Sequence, residues 1–412
     1  MSTSTLFTPC QLPNGQTLPN RIAKAAMEEN LADGQHVPGP ELWRLYEQWS
    51  KGGAGLILTG NVMVDGRALT GPGGVVLQDA SQLDAFKRWA QASKVGGGRV
   101  WMQINHPGRQ VYKRMGQEAW APSAVQLDLG SYSGLFPVPK AMSEADIAEV
   151  VARFVRTAQL AEQAGFDGVE IHAAHGYLLS QFLSPLSNRR QDAWGGSLQN
   201  RARLLLDIVR GVRQVVRPDF GVGVKLNSAD FQRGGFDVND ARQVVTWLND
   251  LQVDLVELSG GSYEAPAMQG VSRDERTLAR EAYFLSFAQD IAQVARMPIM
   301  LTGGVRRKVV AEQVINSGVQ LVGMATALAI APNLPKTWLA GQDPAPAMPP
   351  ITWKNKSAAA MALQAKVKYQ LHQLARGRQT DTTVSPLGVL LCDQVKTLRR
   401  TAKYRRWARQ QT

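Results

Sequence analysis

Short apolar or β-branched runs alternate with longer amphipathic stretches along most of this chain. The runs that read as strands are Arg21–Ala26, Leu56–Val64, Arg99–Asn105, Gly168–His172, Gly221–Leu226, Leu255–Leu258, Ile299–Thr302 and Leu321–Met324. Between them lie stretches with apolar residues three and four apart. Glu144–Ala164 carries Ile147, Val150, Val151, Phe154 and Ala158 on one face, which predicts a helix. Ser197–Val216 predicts another, with Ser197 as N-cap and Pro218 closing its end. Eight strand–helix units in this order predict an α/β fold, a (β/α)8 TIM barrel over residues 1–345. The competing architecture is an open doubly wound sheet. That fold commonly opens with GxGxxG when it binds dinucleotides, and no such spacing occurs; Gly52-Gly53-Ala54-Gly55 and Gly96-Gly97-Gly98 are spaced otherwise. The segment 106–142, rich in Pro and aromatics, is too long for a plain loop and predicts a lid over the C-terminal face of the barrel. A Pro-rich stretch around 343–350 ends the barrel and leads into a basic, helical extension, residues 346–412.

Composition narrows the class. The 412 residues are 44% hydrophobic and 19% charged, enough apolar material for a large core. No apolar run is long enough to span a bilayer, and the start lacks the basic and apolar regions of a secretory signal. Cys10 and Cys392 are far apart in sequence, so neither a CxxC redox pair nor a four-thiolate cluster can form. A reduced, cytoplasmic location is the expectation. The net charge of +12 is concentrated at one end: residues 351–412 hold six Lys and seven Arg against two Asp, leaving 33 bases and 32 acids in the rest. The body therefore gives no reason to expect nucleic acid as a partner.

Barrel chemistry gathers at the C-terminal ends of strands. The fourth strand ends in Glu170-Ile-His172-Ala-Ala-His175-Gly-Tyr177. Two of the chain's five histidines sit there. The pair reads as part of a metal site, as two donors gripping a carbonyl or phenolate oxygen, or as two hydrogen-bonded core histidines; no metal is predicted, because a zinc site wants a third ligand. Gln103, polar on an apolar strand end, both donates and accepts, which suits the edge of a heterocycle or loop backbone. Lys225 on the fifth strand reads as a Schiff-base lysine, a neutraliser of an anion, or the partner of a buried acid. Gly303-Gly304 and Ala325-Thr326 follow the seventh and eighth strands, where this fold frequently binds phosphate through backbone N–H groups.

The segments LPNRIAKAAMEENLAD (18–33), QINHPGRQ (103–110), DGVEIHAAHGYLLSQFLSPLSNRRQDAWGGSLQNRARLL (167–205), GVGVKLNSADF (221–231) and LTGGV (301–305) resemble, in this order, the Old Yellow Enzyme family of FMN-dependent NAD(P)H:flavin oxidoreductases. The resemblance covers residues 6–340. It implies FMN across the barrel mouth, with Ala25, Ala26, Met27, Glu28 and Gly60 lining it and Gln103 on its pyrimidine edge. Lys225 would sit near N1 and O2, where a cation stabilises the reduced ring. Gly303, Gly304, Ala325 and Thr326 would cradle the phosphate. His172 and His175 would bind a substrate oxygen, and Tyr177 would be the proton donor. NADPH or NADH would use the same pocket in turn as hydride donor. The implied reaction is reduction of a small enone or nitroalkene. The competing enzyme reading is NADH oxidation by O2 or dehydrogenation of a substrate; the competing non-enzymatic one is a docking module.

The chain departs from the family in three places. Glu28 stands where relatives often carry Cys or Thr beside the flavin C4 carbonyl, and a carboxylate there disfavours the reduced ring unless protonated or turned away. Thr326 stands where an arginine often meets the phosphate, leaving that charge to Lys225 or another base. The cysteine cluster and extra domains of the iron–sulfur branch are missing. The basic extension lies outside the family core. Met361, Leu363, Val367, Leu371 and Leu374, and then Leu387, Leu391, Val395 and Leu398, predict two amphipathic helices. Packing of these apolar residues on the barrel, or on a second subunit in a homo-oligomer, is favoured. Contact of the last helix with an anionic membrane surface or an acidic partner, with Trp407 at the interface, is the alternative.

Overall fold

The computed structural model of the protein describes residues 4–267 and 281–410. Eight parallel strands close into a barrel: β1 (Ile22–Lys24), β2 (Leu56–Leu58), β3 (Arg99–Asn105), β4 (Gly168–Ala173), β5 (Gly221–Asn227), β6 (Leu255–Ser259), β7 (Ile299–Thr302) and β8 (Leu321–Met324). Pairing of β8 with β1 and of β3 with β4 completes the ring. The expected strand Leu56–Val64 is interrupted at Thr59–Asn61; Val62–Met63 forms a separate short strand against Ile104–Asn105. The break follows from the side chains. A Cβ on Gly60 would overlap the Met27 carbonyl oxygen and the Glu29 carboxylate, so the chain turns where only glycine fits.

Helices follow the strands as the apolar periodicity requires: α1 (Pro40–Lys51), α2 (Leu83–Ala92), α3 (Glu144–Gln163), α4 (Leu198–Val215), α5 (Val238–Leu248), α6 (Leu285–Ala292) and α7 (Lys308–Asn316). Ser143 and Asp146 form a reciprocal capping box at the start of α3, and Ser197 accepts from the Asn200 N–H at the start of α4, satisfying donors the first turn cannot pair internally. Inside the barrel, alternate residues stack in layers. The bottom is filled by Trp101, Leu255, Met300, Leu321, Ala23 and Leu56. A Cβ at Gly168, Gly221 or Gly223 would strike the Trp101 indole, so three glycines on two strands are the counterpart of one tryptophan. An N-terminal hairpin, Cys10–Gln11 with Thr17–Leu18, plugs this end, and Gln16 accepts from the indole N–H at 3.2 Å.

The extension forms two helices, α8 (Lys356–Ala375) and α9 (Pro386–Ala408). Leu371, Leu374 and Ala375 join the main core. Arg44 and Gln48 of α1 donate to the Ala375 and Leu374 carbonyls, satisfying acceptors that the helix end leaves open. The apolar stripe of α9 does not pack on the barrel. Leu387, Leu391, Val395 and Leu398 are exposed, whereas Val389, Thr401, Tyr404 and Trp407 are buried. Aromatic area decides which face packs: Tyr404 and Trp407 close on His36 and join Met63, Leu69, Val76 and Met115. Trp407 is thus a core residue rather than an interfacial one. Among the described residues no helix is long and apolar enough to cross a membrane.

Candidate active site

The layer above Trp101 is polar. Strand register sets Glu170 opposite Gln103, and Glu257 opposite Lys225. Gln103 Nε2 donates to Glu170 Oε2 at 2.6 Å, and Lys225 Nζ donates to Glu257 Oε1 at 2.8 Å. All four side chains are buried. Burial and the neighbouring charge of Glu257 push the Glu170 carboxyl well above the ordinary carboxylate range. Burial also acts to raise Glu257, but the Lys225 ammonium beside it wins and holds it below. The pair therefore carries one proton, on Glu170, and Glu257 balances Lys225. Lys225 is the partner of a buried acid, which leaves it unavailable as the cation for a phosphate at Thr326. Neither Glu170 nor Glu257 stands out in the sequence as a site residue; the register of β3 to β6 is the signal that joins them.

Above this layer the histidines face the mouth. The turn after β4 puts His175 and Gly176 in the left-handed region, at φ 60° and 73°, a strain for a non-glycine residue. It is held by Asn227, whose side chain accepts from the His175 N–H at 3.1 Å. Ser259 Oγ lies 2.8 Å from His175 Nε2. His172 Nδ1 accepts from the Ala174 N–H at 3.2 Å, so the proton of the neutral ring is on Nε2. Burial, then the neighbouring His175 and Lys225, holds the His172 imidazole neutral well below its ordinary range, and His175 behaves alike. The rings stand 5.0 Å apart, and Tyr177 packs edge-on to His172 at 4.9 Å. The Tyr177 hydroxyl is 3.2 Å from that of Tyr263, a residue the sequence reading missed. Burial and the Glu28 charge keep the Tyr177 phenol protonated. Among the described residues no group of three or more His, Cys, Asp or Glu gathers to hold a metal.

The first-strand loop is built on a buried network. Lys24 Nζ donates to the Leu58 carbonyl at 2.8 Å and lies over the Trp49 ring at 4.3 Å. Its ammonium is lowered to about 8, by burial against the pull of Glu29. The Tyr46 hydroxyl donates to Glu29 and accepts from the Gly60 N–H. Ala25 faces the barrel interior close to Gly323, and Ala26 packs on the bottom cluster. Glu28 is half-buried, and its Oε1 accepts from Thr70 Oγ1 at 2.6 Å and Asn30 Nδ2 at 3.0 Å. Gly304 is in the left-handed region at φ 74°, and a Cβ there would strike Tyr283. Ala325 caps the short helix Thr326–Ile330. Arg306 and Arg307, just beyond the two glycines, are paired with Glu281.

One observation indicates what the mouth holds. Asn105 ends β3 on the same side as Gln103 and is fully buried, yet neither its amide nitrogen nor its oxygen has a partner among the described residues. A buried amide left so calls for a ligand. Residues 5–342 match the NADH:flavin oxidoreductase / NADH oxidase family. The chain belongs to this family, the Old Yellow Enzymes. It is 39% identical over 354 residues to the NADH-dependent flavin oxidoreductase iliE of Neonectria sp., covering 80% of this chain but 46% of that protein. It is 37% identical over 353 residues to iliE of Hypocrea jecorina, covering 80% and 87% respectively. The Old Yellow Enzyme homologue of Zymomonas mobilis superposes with a TM-score of 0.72 at 25% identity, over 84% of this chain and 95% of that one. As an Old Yellow Enzyme the chain uses FMN, with NADH or NADPH as reductant, and its barrel is the one the sequence predicts.

Proposed function

We propose that the chain reduces activated C=C bonds of α,β-unsaturated carbonyl or nitro compounds, with Tyr177 as proton donor. The observation that carries this reading is the convergence of His172, His175 and Tyr177 above the Gln103–Lys225 layer. FMN, when bound, would supply the hydride-transfer chemistry between NAD(P)H and the β-carbon of the substrate. Gln103 and Asn105 would hold its ring edge, and Gly303, Gly304, Ala325 and Thr326 its phosphate. Ala25, Ala26, Met27, Glu28 and Gly60 would line it.

The neutral His172 donates through Nε2–H, and His175 keeps Nδ1 for the same oxygen because Ser259 occupies Nε2. Two such donors stabilise the charge that develops on a carbonyl oxygen as the alkene is reduced. Tyr177 stays protonated across the physiological range and so serves as an acid that delivers its proton to the α-carbon. Tyr263 orients that hydroxyl. Lys225, held by Glu257, would place a fixed positive charge near the flavin ring when FMN is bound. Titration with a para-substituted phenol tests the pocket. A long-wavelength charge-transfer band is expected in the flavin-loaded protein, and loss of His172 should weaken it. An unchanged band in both His172→Ala and His175→Ala removes the histidines from the reading.

A further inference from the structure

The apolar stripe on the outer face of α9 is uncovered among the described residues. Leu387, Leu391, Val395 and Leu398 are exposed at 56%, 58%, 49% and 59%. Their spacing puts them on one stripe of the helix, about 16 Å long at 1.5 Å per residue. The opposite face is fixed: Tyr404 donates to the Gly66 carbonyl at 3.0 Å, and the Trp407 ring packs against His36 with centroids 4.6 Å apart. The stripe therefore cannot fold inward without breaking the buried face. It continues towards the C-terminus as Arg405 and Arg406, flanked by Arg399 and Lys403, all exposed. Residues 396–409 contain seven bases and no acid.

We infer that the outer face of α9 docks on an anionic lipid surface, with Leu387, Leu391, Val395 and Leu398 entering the headgroup boundary and the following bases contacting lipid phosphates. A helix with an apolar stripe, a basic continuation and low mean hydropathy lies in the interface rather than across it. The charges select this occupant over a second copy of the chain. Two copies would bring two strongly basic helices together. Four side chains also cover far less than the roughly 800 Å² per partner that a specific dimer buries. An anionic leaflet attracts the same bases, and the attraction is screened by salt. The site is separate from the barrel mouth, so it does not rest on the reading of the reaction.

The test is sedimentation of the full-length, flavin-loaded protein with vesicles of phosphatidylcholine alone or with added phosphatidylserine. Binding is expected only to the phosphatidylserine vesicles, falling at least tenfold at 1 M salt, where the screening length is about 3 Å. Leu391→Ser/Leu398→Ser and Arg405→Gln/Arg406→Gln each change only exposed side chains. Each should lose binding at least tenfold while flavin content and melting temperature stay at the wild-type values. No binding by the wild-type protein, or equal binding to both vesicle types, overturns the inference whether or not the variants fold. A dimer in sedimentation velocity that Leu391→Ser/Leu398→Ser dissolves also overturns it, reassigning the stripe to a second copy.

Discussion

Gln103 on β3 donates to the carboxyl of Glu170 on β4 at 2.6 Å, inside the barrel and beneath the histidine pair. That carboxyl is held protonated, and its neighbour Glu257 is ionised against Lys225. The two glutamates should therefore respond oppositely to neutralisation. Glu170→Gln replaces a neutral acid by a neutral amide of similar shape and should cost less than about 1.5 kcal/mol of stability. Glu257→Gln leaves Lys225 buried without its counter-charge and should cost about 3–5 kcal/mol. Urea unfolding of both variants checks this, and equal costs would show that the proton is not on Glu170.

All five histidines should make the fold acid-sensitive. His36, His106, His172, His175 and His372 are all lowered, each chiefly by burial, His106 to about 4 and His372 to about 3. A group with a depressed folded pKa contributes stability above its unfolded pKa, about 6.5 for histidine, and loses it as pH falls towards the folded value. Glu29, Glu170, Asp230, Asp240 and Asp254, raised in the fold, act in the opposite sense, but of these only Glu170 is raised well above the carboxylate range, so the five histidines dominate above pH 5. Unfolding should take up protons between pH 6.5 and 5, and stability should fall across that interval. Urea midpoints at pH 7.5 and 5.5 measure it; an equal or higher midpoint at 5.5 would contradict the assignment.

His372 ties the extension to the active-site loop. Its Nε2 lies 2.9 Å from the Glu29 carbonyl oxygen, one residue beyond Glu28. Loss of a buried hydrogen bond with the acceptor left unpaired costs about 1–3 kcal/mol. His372→Ala should lower the melting temperature and weaken FMN retention together. A variant that melts early but holds FMN as tightly as wild type would confine His372 to a stabilising role.

Tyr177→Phe should keep FMN and its reduction by NAD(P)H while slowing enone reduction by about 10²–10⁴-fold, the usual contribution of a positioned acid. Nitroalkenes should suffer less, because a nitronate is stable enough to be protonated in water. Equal losses with both substrate classes would make Tyr177 a structural residue.

The sequence makes the barrel legible because strand and helix periods differ and repeat eight times. Gln103, Lys225, His172 and His175 are legible as polar residues on otherwise apolar strand ends. Glu170 and Glu257 are not, because their meaning depends on register between strands far apart in the chain. Asn105 shows itself only through the absence of a partner. The contact of His372 with Glu29 spans 343 positions, beyond any local pattern. Which face of α9 meets the barrel is not legible for a related reason: its apolar stripe is regular, but the larger aromatic pair Tyr404 and Trp407 finds complementary partners in His36 and the Gly66 backbone. Periodicity identifies an amphipathic helix without saying which face its neighbours fit.

The most direct test of the proposed reaction is an anaerobic stopped-flow experiment in two stages. NADH or NADPH is added to the yellow protein and bleaching of the flavin is followed; 2-cyclohexenone is then added in the absence of oxygen. Reduction of activated C=C bonds predicts bleaching in the first stage, and in the second full return of the yellow colour with one cyclohexanone formed per flavin. A flavin that bleaches but regains its colour only when oxygen is admitted would contradict that activity and leave NADH oxidation in its place.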